Sequence, residues 1–352
     1  VAHPGPRLLA RGDLEALLDV DACRAAVEEA FRQHGAGEAP PPGVLGLATE
    51  SGGFHVKAGV LRLNGRAYFA AKVNGNFAGN AARGLPRIQG VVVLADGETG
   101  TPLALLDSGA ITELRTAAAT AVAARFLARP DSATATIVGC GVQGRAHLRS
   151  LARVLPLRRA FAFDVDAAQA QAFARVFAAE EEGRRETGGE IPLKGNAWPP
   201  LSGLEVLAAD DLREALAESD VVAACTPSQQ PYLFGRDTKP GTFVAAVGAD
   251  AEDKQEIDPS LLASAKVVTD ITAQCAAFGD LHHAIEAGAL SASDVHAELG
   301  EVVAGRRPGR TSDAEVVVFD STGMALQDVA AAAAAFEAAE RTGRGLSALL
   351  SG

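Results

Sequence analysis

Thr134–His147 reads TATIVGCGVQGRAH, and its pattern decides the fold of the chain around it. Ala135-Thr136-Ile137-Val138 is an apolar run with the make-up of a buried strand. Gly139-Cys140-Gly141-Val142-Gln143-Gly144 then supplies all three glycines of G-x-G-x-x-G, and a helical stripe of Ala146, Leu148, Leu151, Ala152 and Leu155 follows. Each glycine has its own duty. Gly139 permits the tight turn, Gly141 lets the backbone approach a pyrophosphate, and Gly144 lets the helix pack on the strand. Val142 and Gln143 open the helix, where exposed N–H groups and the helix dipole favour an anion. Arg159–Asp166 reads as the next strand and carries Asp164, 25 positions after the first glycine. A carboxylate there accepts from ribose hydroxyls and repels a 2′-phosphate, so the cofactor expected is NAD rather than NADP. The bland alternative is an ordinary strand–helix turn followed by a strand-end acid, and the strand–turn–helix context argues against it.

Working outward, the order from Ser132 is βαβ. Strands are expected at Ala135–Val138, Ala160–Asp164, Leu204–Leu207, Val221–Cys225, Phe243–Val247, Val267–Thr269 and Val316–Asp320, with helical patterns between most of them. This predicts an α/β fold, a doubly wound parallel Rossmann sheet spanning residues 131–320. Ligands of such sheets gather at the C-terminal strand ends, which marks Thr226-Pro227-Ser228, Val247-Gly248 and the Ser321-Thr322 loop as candidate cofactor contacts. Ala179–Gly203, with Trp198, reads as a surface insertion loop, and Ala273–Gly305 reads as helical.

Before residue 131 the pattern differs. Asp13–His34 has helical periodicity, Glu38–Gly43 (EAPPPG) breaks it, and strands follow at Val44–Thr49, Phe54–Val60, Ala67–Asn74 and Ile88–Asp96. Ile111–Ala128 is a long helix, and Arg129-Pro130-Asp131 closes the block. Strands first and a helix after is an α+β arrangement, into which the Rossmann unit is inserted. Met324–Thr342 is an Ala-rich helix within 321–352.

Composition narrows the function classes. Net charge is −12 and the pI about 5.1, which argues against non-specific binding to nucleic acid or to acidic membranes. No apolar run approaches the length of about 18 residues that a membrane-spanning helix needs. Val1–Leu9 has no basic region before an apolar stretch, so no signal peptide is expected. Cys23, Cys140, Cys225 and Cys275 are scattered, and His55, His282 and His283 lack ligand spacing. Reduced thiols, a cytoplasmic location and no metal are the expectations.

Asn74–Gln89 (NGNFAGNAARGLPRIQ), Asp107–Ala119 (DSGAITELRTAAA), the dinucleotide fingerprint, Ala245–Asp258 (AAVGADAEDKQEID), His296–Gly305 (HAELGEVVAG) and Phe319–Val329 (FDSTGMALQDV) together resemble the ornithine cyclodeaminase/μ-crystallin family. The stretch after Gly248 and the DSTG block are most similar to its archaeal-type alanine dehydrogenase and imino-acid reductase branch. The resemblance implies a homodimer in which 1–130 and 321–352 form the substrate and dimerisation domain. It implies hydride transfer between a nicotinamide and the C–N bond of an amino or imino acid. It places the active-site lysine at Lys72, a second cation for the substrate carboxylate at Arg115, and the catalytic acid at Asp250. Thr116, beside Arg115, is expected to reach a phosphate through its hydroxyl and N–H at a helix start. The expected activity is an NAD-dependent amino-acid dehydrogenase or imino-acid reductase. An ammonia-releasing cyclodeaminase that recycles its NAD, and a non-catalytic crystallin-like NAD binder, are the alternatives. Many family members carry an arginine before the strand hairpin that holds the substrate carboxylate; here that stretch is Pro40-Pro41-Pro42-Gly43.

The residues add an inference of their own. Asn64-Gly65 reads as a two-residue hairpin turn. That register sets Leu63 opposite Arg66, Lys57 opposite Lys72 and His55 opposite Asn74, with facing Cβ atoms about 5 Å apart. Two lysines so placed need an anion between them or the loss of one proton. A substrate carboxylate is the expected anion, with Lys57 replacing the missing arginine, and an acidic substrate follows. A longer turn would shift the register and send Lys57 to the other face.

Overall fold

The computed structural model describes residues 5–186 and 201–347, which fall into two compact units. One holds residues 5–115 and 324–347, the other 116–186 and 201–323, so Pro130 lies inside the second. Trp198 and most of the expected insertion loop lie outside the described residues.

The first unit opens with strand β1 (Arg7–Leu9) and helices α1 (Arg11–Leu17) and α2 (Val20–Ala36). Asp19 caps α2, its carboxylate accepting from Ala22 N at 2.7 Å. Four antiparallel strands follow: β2 (Gly43–Thr49), β3 (Gly52–Leu63), β4 (Arg66–Asn76) and β5 (Ile88–Asp96). After β6 (Pro102–Asp107), helix α3 runs from Ser108 to Leu127, and the chain passes into the second unit within it. Asn64 and Gly65 both have positive φ, 51° and 84°, as the tightest hairpin turn requires. The register is the one the sequence implies: Leu63 pairs with Arg66, Lys57 with Lys72, and His55 with Asn74.

In the second unit β7 (Thr134–Val138), α4 (Val142–Leu151), β8 (Arg159–Phe163), α5 (Ala167–Glu186), β9 (Glu205–Ala208), α6 (Leu212–Glu218) and β10 (Val221–Ala224) alternate. The described part of the expected insertion up to Glu186 is therefore the end of helix α5, because Phe173 and Phe177 already anchor its apolar stripe. Then come β11 (Gln229–Leu233), β12 (Phe243–Ala246), β13 (Gln255–Ile257), α7 (Pro259–Ser264), β14 (Lys266–Thr269), α8 (Thr272–Phe278) and α9 (Asp280–Glu286). The stretch 273–305 is not helical throughout: β15 (Ala297–Glu298) joins the sheet edge before α10 (Leu299–Val303). Strand β16 (Val317–Asp320) completes the unit. The main sheet is parallel, in the order β15-β14-β16-β12-β10-β7-β8-β9. Its winding reverses between β7 and β10, and the crevice at such a reversal is where these folds bind ligands.

The chain returns to the first unit at Met324 and forms α11 (Ala325–Thr342) and β17 (Leu346–Ser347). That unit's sheet has the order β17-β1-β6-β5-β4-β3-β2. Helix α11 lies on β3 and β4 and packs on α2, and its many alanines permit the close approach. Tyr68, Ala70 and Lys72 of β4 are buried on that covered face, whereas Phe69, Ala71 and Val73 of the other face are half-exposed. The other face is apolar yet open: Leu45, Leu47 and Phe54 are 53%, 54% and 41% exposed. Among the described residues no helix is long and apolar enough to cross a membrane, and all four cysteines are unpaired.

Candidate active site

Lys72 is an ammonium-bearing side chain placed by strand alternation against a helix. It is only 4% exposed. Its Nζ donates to Asp328 Oδ1 at 2.8 Å and to Thr112 Oγ1 at 3.3 Å. Arg115, 6% exposed, sits in the second turn of α3. Its Nε stands 3.0 Å from the same Asp328 oxygen, and its Nη1 donates to Gln327 Oε1 at 2.9 Å. Asp328, buried in α11, thus joins the strand lysine to the helix arginine.

Burial pushes the Lys72 ammonium down to about 7, with the Arg115 charge adding to the drop, Asp328 opposing it and Lys57 contributing further. Burial by itself would raise the Asp328 carboxyl, but the charges of Lys72 and Arg115 outweigh it and hold Asp328 below its usual range. A lysine poised near neutrality can exchange a proton at physiological pH. The guanidinium beside it offers a planar fork to a carboxylate.

Asp328 is the member of this cluster that reading the sequence missed. The available signal was its position as the sole charge in an otherwise apolar and amide stretch, Ala325–Phe336. Its presence also changes the argument about the lysine pair. An anion does stand beside Lys72, but it is the protein's own carboxylate. Thr116 needs a correction as well. Helix α3 begins at Ser108, so Thr116 is an interior residue whose N–H is spent in the helix ladder and does not stand at a helix start.

The second unit carries the nucleotide-binding features. Gly139 has φ +95°, and a Cβ on it would stand 2.8 Å from Cys225 O. A Cβ on Gly144 would stand 2.1 Å from Gly139 O, so α4 can lie against β7 only with glycine there. Gly141 is different: a Cβ on it would meet no atom of the described residues within 4 Å, so their packing does not explain that glycine. A pyrophosphate approaching the backbone there would use that space. Val142, 60% exposed, and Gln143 open the ten-residue helix beside it. Asp164 follows β8 directly, and its carboxylate accepts from Cys140 N at 2.8 Å and from Asp166 N at 3.0 Å, which fixes it next to the glycine turn. Three glycines, an open helix N-terminus and an adjacent acid fit an NAD-type dinucleotide.

The other expected cofactor contacts are held from below. Buried Glu256 accepts from Thr226 N at 2.7 Å, Thr226 Oγ1 at 2.8 Å, Tyr232 Oη at 2.6 Å and Gly248 N at 2.8 Å. One carboxylate therefore ties the loops after β10 and β12, including Thr226-Pro227-Ser228 and Val247-Gly248. Buried Asp270 does the same for the last loop, accepting from Ser321 Oγ at 2.9 Å, Thr322 Oγ1 at 3.4 Å and Gly323 N at 2.6 Å. Thr226, Ser321 and Thr322 thus spend their hydroxyls on anchoring. Asp250, beyond β12, is exposed and ion-paired with Lys254. His282 and His283 stack edge to face on α9, and His283 bonds Lys254 O at 2.9 Å.

Comparison with known proteins agrees with this chemistry. The sequence profile described as "Ornithine cyclodeaminase/mu-crystallin family" matches residues 6–185 and 196–343. The alanine dehydrogenase of Archaeoglobus fulgidus is 35% identical over 330 residues, 94% of each chain. The iminosuccinate reductase of Paracoccus denitrificans is 35% identical over 292 residues, covering 83% of this chain and 81% of that one. The structure of an archaeal alanine dehydrogenase dimer with bound NAD superposes with a TM-score of 0.87 at 33% identity, covering 98% of this chain and 99% of the other.

Proposed function

We propose a function on one premise: the chain belongs to the ornithine cyclodeaminase/mu-crystallin family. It is an NAD-dependent oxidoreductase that acts on the C–N bond of a small amino or imino acid, as a dehydrogenase or as an imino-acid reductase. The observation that carries this reading is the Lys72–Asp328–Arg115 cluster. Two buried cations on one carboxylate hold excess positive charge, which an α-carboxylate neutralises. Arg115 clamps that carboxylate, and Lys72 in its protonated form binds the substrate or passes a proton at the imine. Asp250 handles the proton on the amino nitrogen, the role the family resemblance implies. NAD, when bound, accepts or supplies the hydride. Gly139, Gly141, Val142, Gln143 and Gly144 cradle its pyrophosphate, Asp164 its ribose, and the loops anchored by Glu256 and Asp270 line its course.

Residues 5–115 and 324–347 form the substrate and dimerisation unit in this reading. The open apolar face of Leu45, Leu47 and Phe54 is the surface of a homodimer, the state named for the archaeal alanine dehydrogenase. Four unpaired cysteines suit the cytoplasm. The test is a screen of 2-oxo acids with ammonia and NADH, run beside an ammonia-release assay with L-amino acids and NAD. NADH consumption matching amino acid formed supports the reading. Ammonia release with no net change in NADH points to a cyclodeaminase, and tight NAD binding with no turnover points to a binder.

A further inference from the structure

The lysine pair says more about the substrate than its reaction class. Lys57 pairs directly with Lys72 across β3 and β4, so both project from the same face with Cβ atoms about 5 Å apart. Lys72 and Arg115 both meet the same oxygen of Asp328. Lys57 acts on both Lys72 and Asp328 by its charge, from one strand farther across the sheet. Burial along this face falls off at the same place. Gly59, Leu61 and Leu63 are buried, Lys57 is half-buried and His55 is exposed; on β4, Lys72 is buried and Asn74 half-buried. Lys57 thus stands at the edge of the cover that α11 provides, while Lys72 and Arg115 stand inside it.

The surrounding positions have a consistent character. The row through the pair is Val44, Lys57, Lys72 and Val92, and the next, more open row is Gly46, His55, Asn74 and Gly90. Neither row carries an acid. Gly46 and Gly90 have no side chains, and the amide oxygen of Asn74 is buried without a hydrogen-bond partner among the described residues. A substrate side chain running along these rows from an α-carboxylate at Arg115 meets a second ammonium. A distal amine would be repelled there, and a distal carboxylate would be attracted.

We propose that Lys57 binds a second carboxylate, so that the substrate is a dicarboxylic amino or imino acid of four or five carbons. Lys57 lies one strand spacing, about 5 Å, outward from Lys72, which shares Asp328 with Arg115, and a step of that size suits the few carbons between two carboxylates. The inference rests on the function proposed above, and it gives Lys57 the distal carboxylate rather than the α-carboxylate.

The experiment measures kcat/KM with NAD for L-aspartate, L-glutamate, L-alanine, L-norvaline and L-ornithine, in the full chain and in the Lys57→Met and Lys57→Arg variants. The wild type should prefer one of the two dicarboxylates. The ratio of that value to the value for L-alanine should fall about 10- to 100-fold in Lys57→Met, the loss of one charge-assisted contact, and stay within a few-fold in Lys57→Arg. A wild-type preference for L-alanine, L-norvaline or L-ornithine overturns the inference and leaves the proposed function standing; this arm reads even if Lys57→Met fails to fold. A ratio unchanged in a folded Lys57→Met overturns the role of Lys57. No turnover of any amino acid, nor of the matching 2-oxo acids with ammonia and NADH, overturns the proposed function and this inference with it.

Discussion

Replacing Asp328 by Asn removes one charge and keeps the shape of the side chain, so it isolates what the carboxylate does for Lys72. Lys72 titrates near 7 rather than near 10.5, and Asp328 is the group that opposes a larger fall. Loss of an opposite charge in contact lowers an ammonium by about 1–3 pK units, or about 1.4–4 kcal/mol. At pH 7.5 the protonated fraction then drops from about a quarter to about 3% or less. Because protonated Lys72 is needed both to hold a carboxylate and to give a proton, kcat/KM for reduction at pH 7.5 should fall about tenfold or more. The pH profile is the discriminating assay. In the wild type kcat/KM should decline as pH rises past about 7; in Asp328→Asn the decline should begin about 1–3 units lower, with partial recovery at pH 5.5. Stability runs the opposite way with pH. A lysine depressed on folding binds more protons in the unfolded chain between about 7 and 10.5, so stability rises with pH through that window. Leaving two buried cations without their anion should also cost about 3–5 kcal/mol in urea unfolding. A profile that superposes on the wild type, or a loss equal at every pH, would refute the claim that Asp328 sets the protonation of Lys72.

Other outcomes follow from single positions. Gly144→Ala places a methyl 2.1 Å from Gly139 O, and NAD affinity measured by calorimetry should fall at least about tenfold. Asp164→Ser removes the repulsion of a 2′-phosphate, and the NADH to NADPH ratio of kcat/KM should shrink or invert; a wild type that already prefers NADPH would refute the role of Asp164. Leu47→Asp puts a charge on the open face of the first unit, and light scattering should show a dimer in the wild type and a monomer in the variant.

Local pattern carried much of this account. The seven strands expected between 134 and 320 each appear within a residue or two, because buried parallel strands are short apolar runs between helices. The Asn64-Gly65 turn fixed a register reaching to His55 and Asn74, since a two-residue hairpin leaves no slack. Asp328 was not legible, because its partners Lys72 and Arg115 are more than two hundred residues away in sequence and only α11 packing on β3 and β4 brings them together. Glu256 was not legible either, for another reason: its partners Thr226 and Gly248 stand in loops after two different strands. Thr116 misled because the helix extends three residues before its first bulky apolar position, Ile111. The short strands β1 and β17 have too few residues to show any alternation.

The most direct test of the central claim is isotopic. The full chain is incubated with NADH deuterated at the transferable C4 position, ammonia and a panel of 2-oxo acids that includes both mono- and dicarboxylates. The amino acid product is then analysed by mass spectrometry and proton NMR. Hydride transfer to a C=N bond predicts one deuterium at Cα of the product for each deuterated NADH oxidised. Oxidation without deuterium at Cα, or no oxidation with any member of the panel, would contradict it.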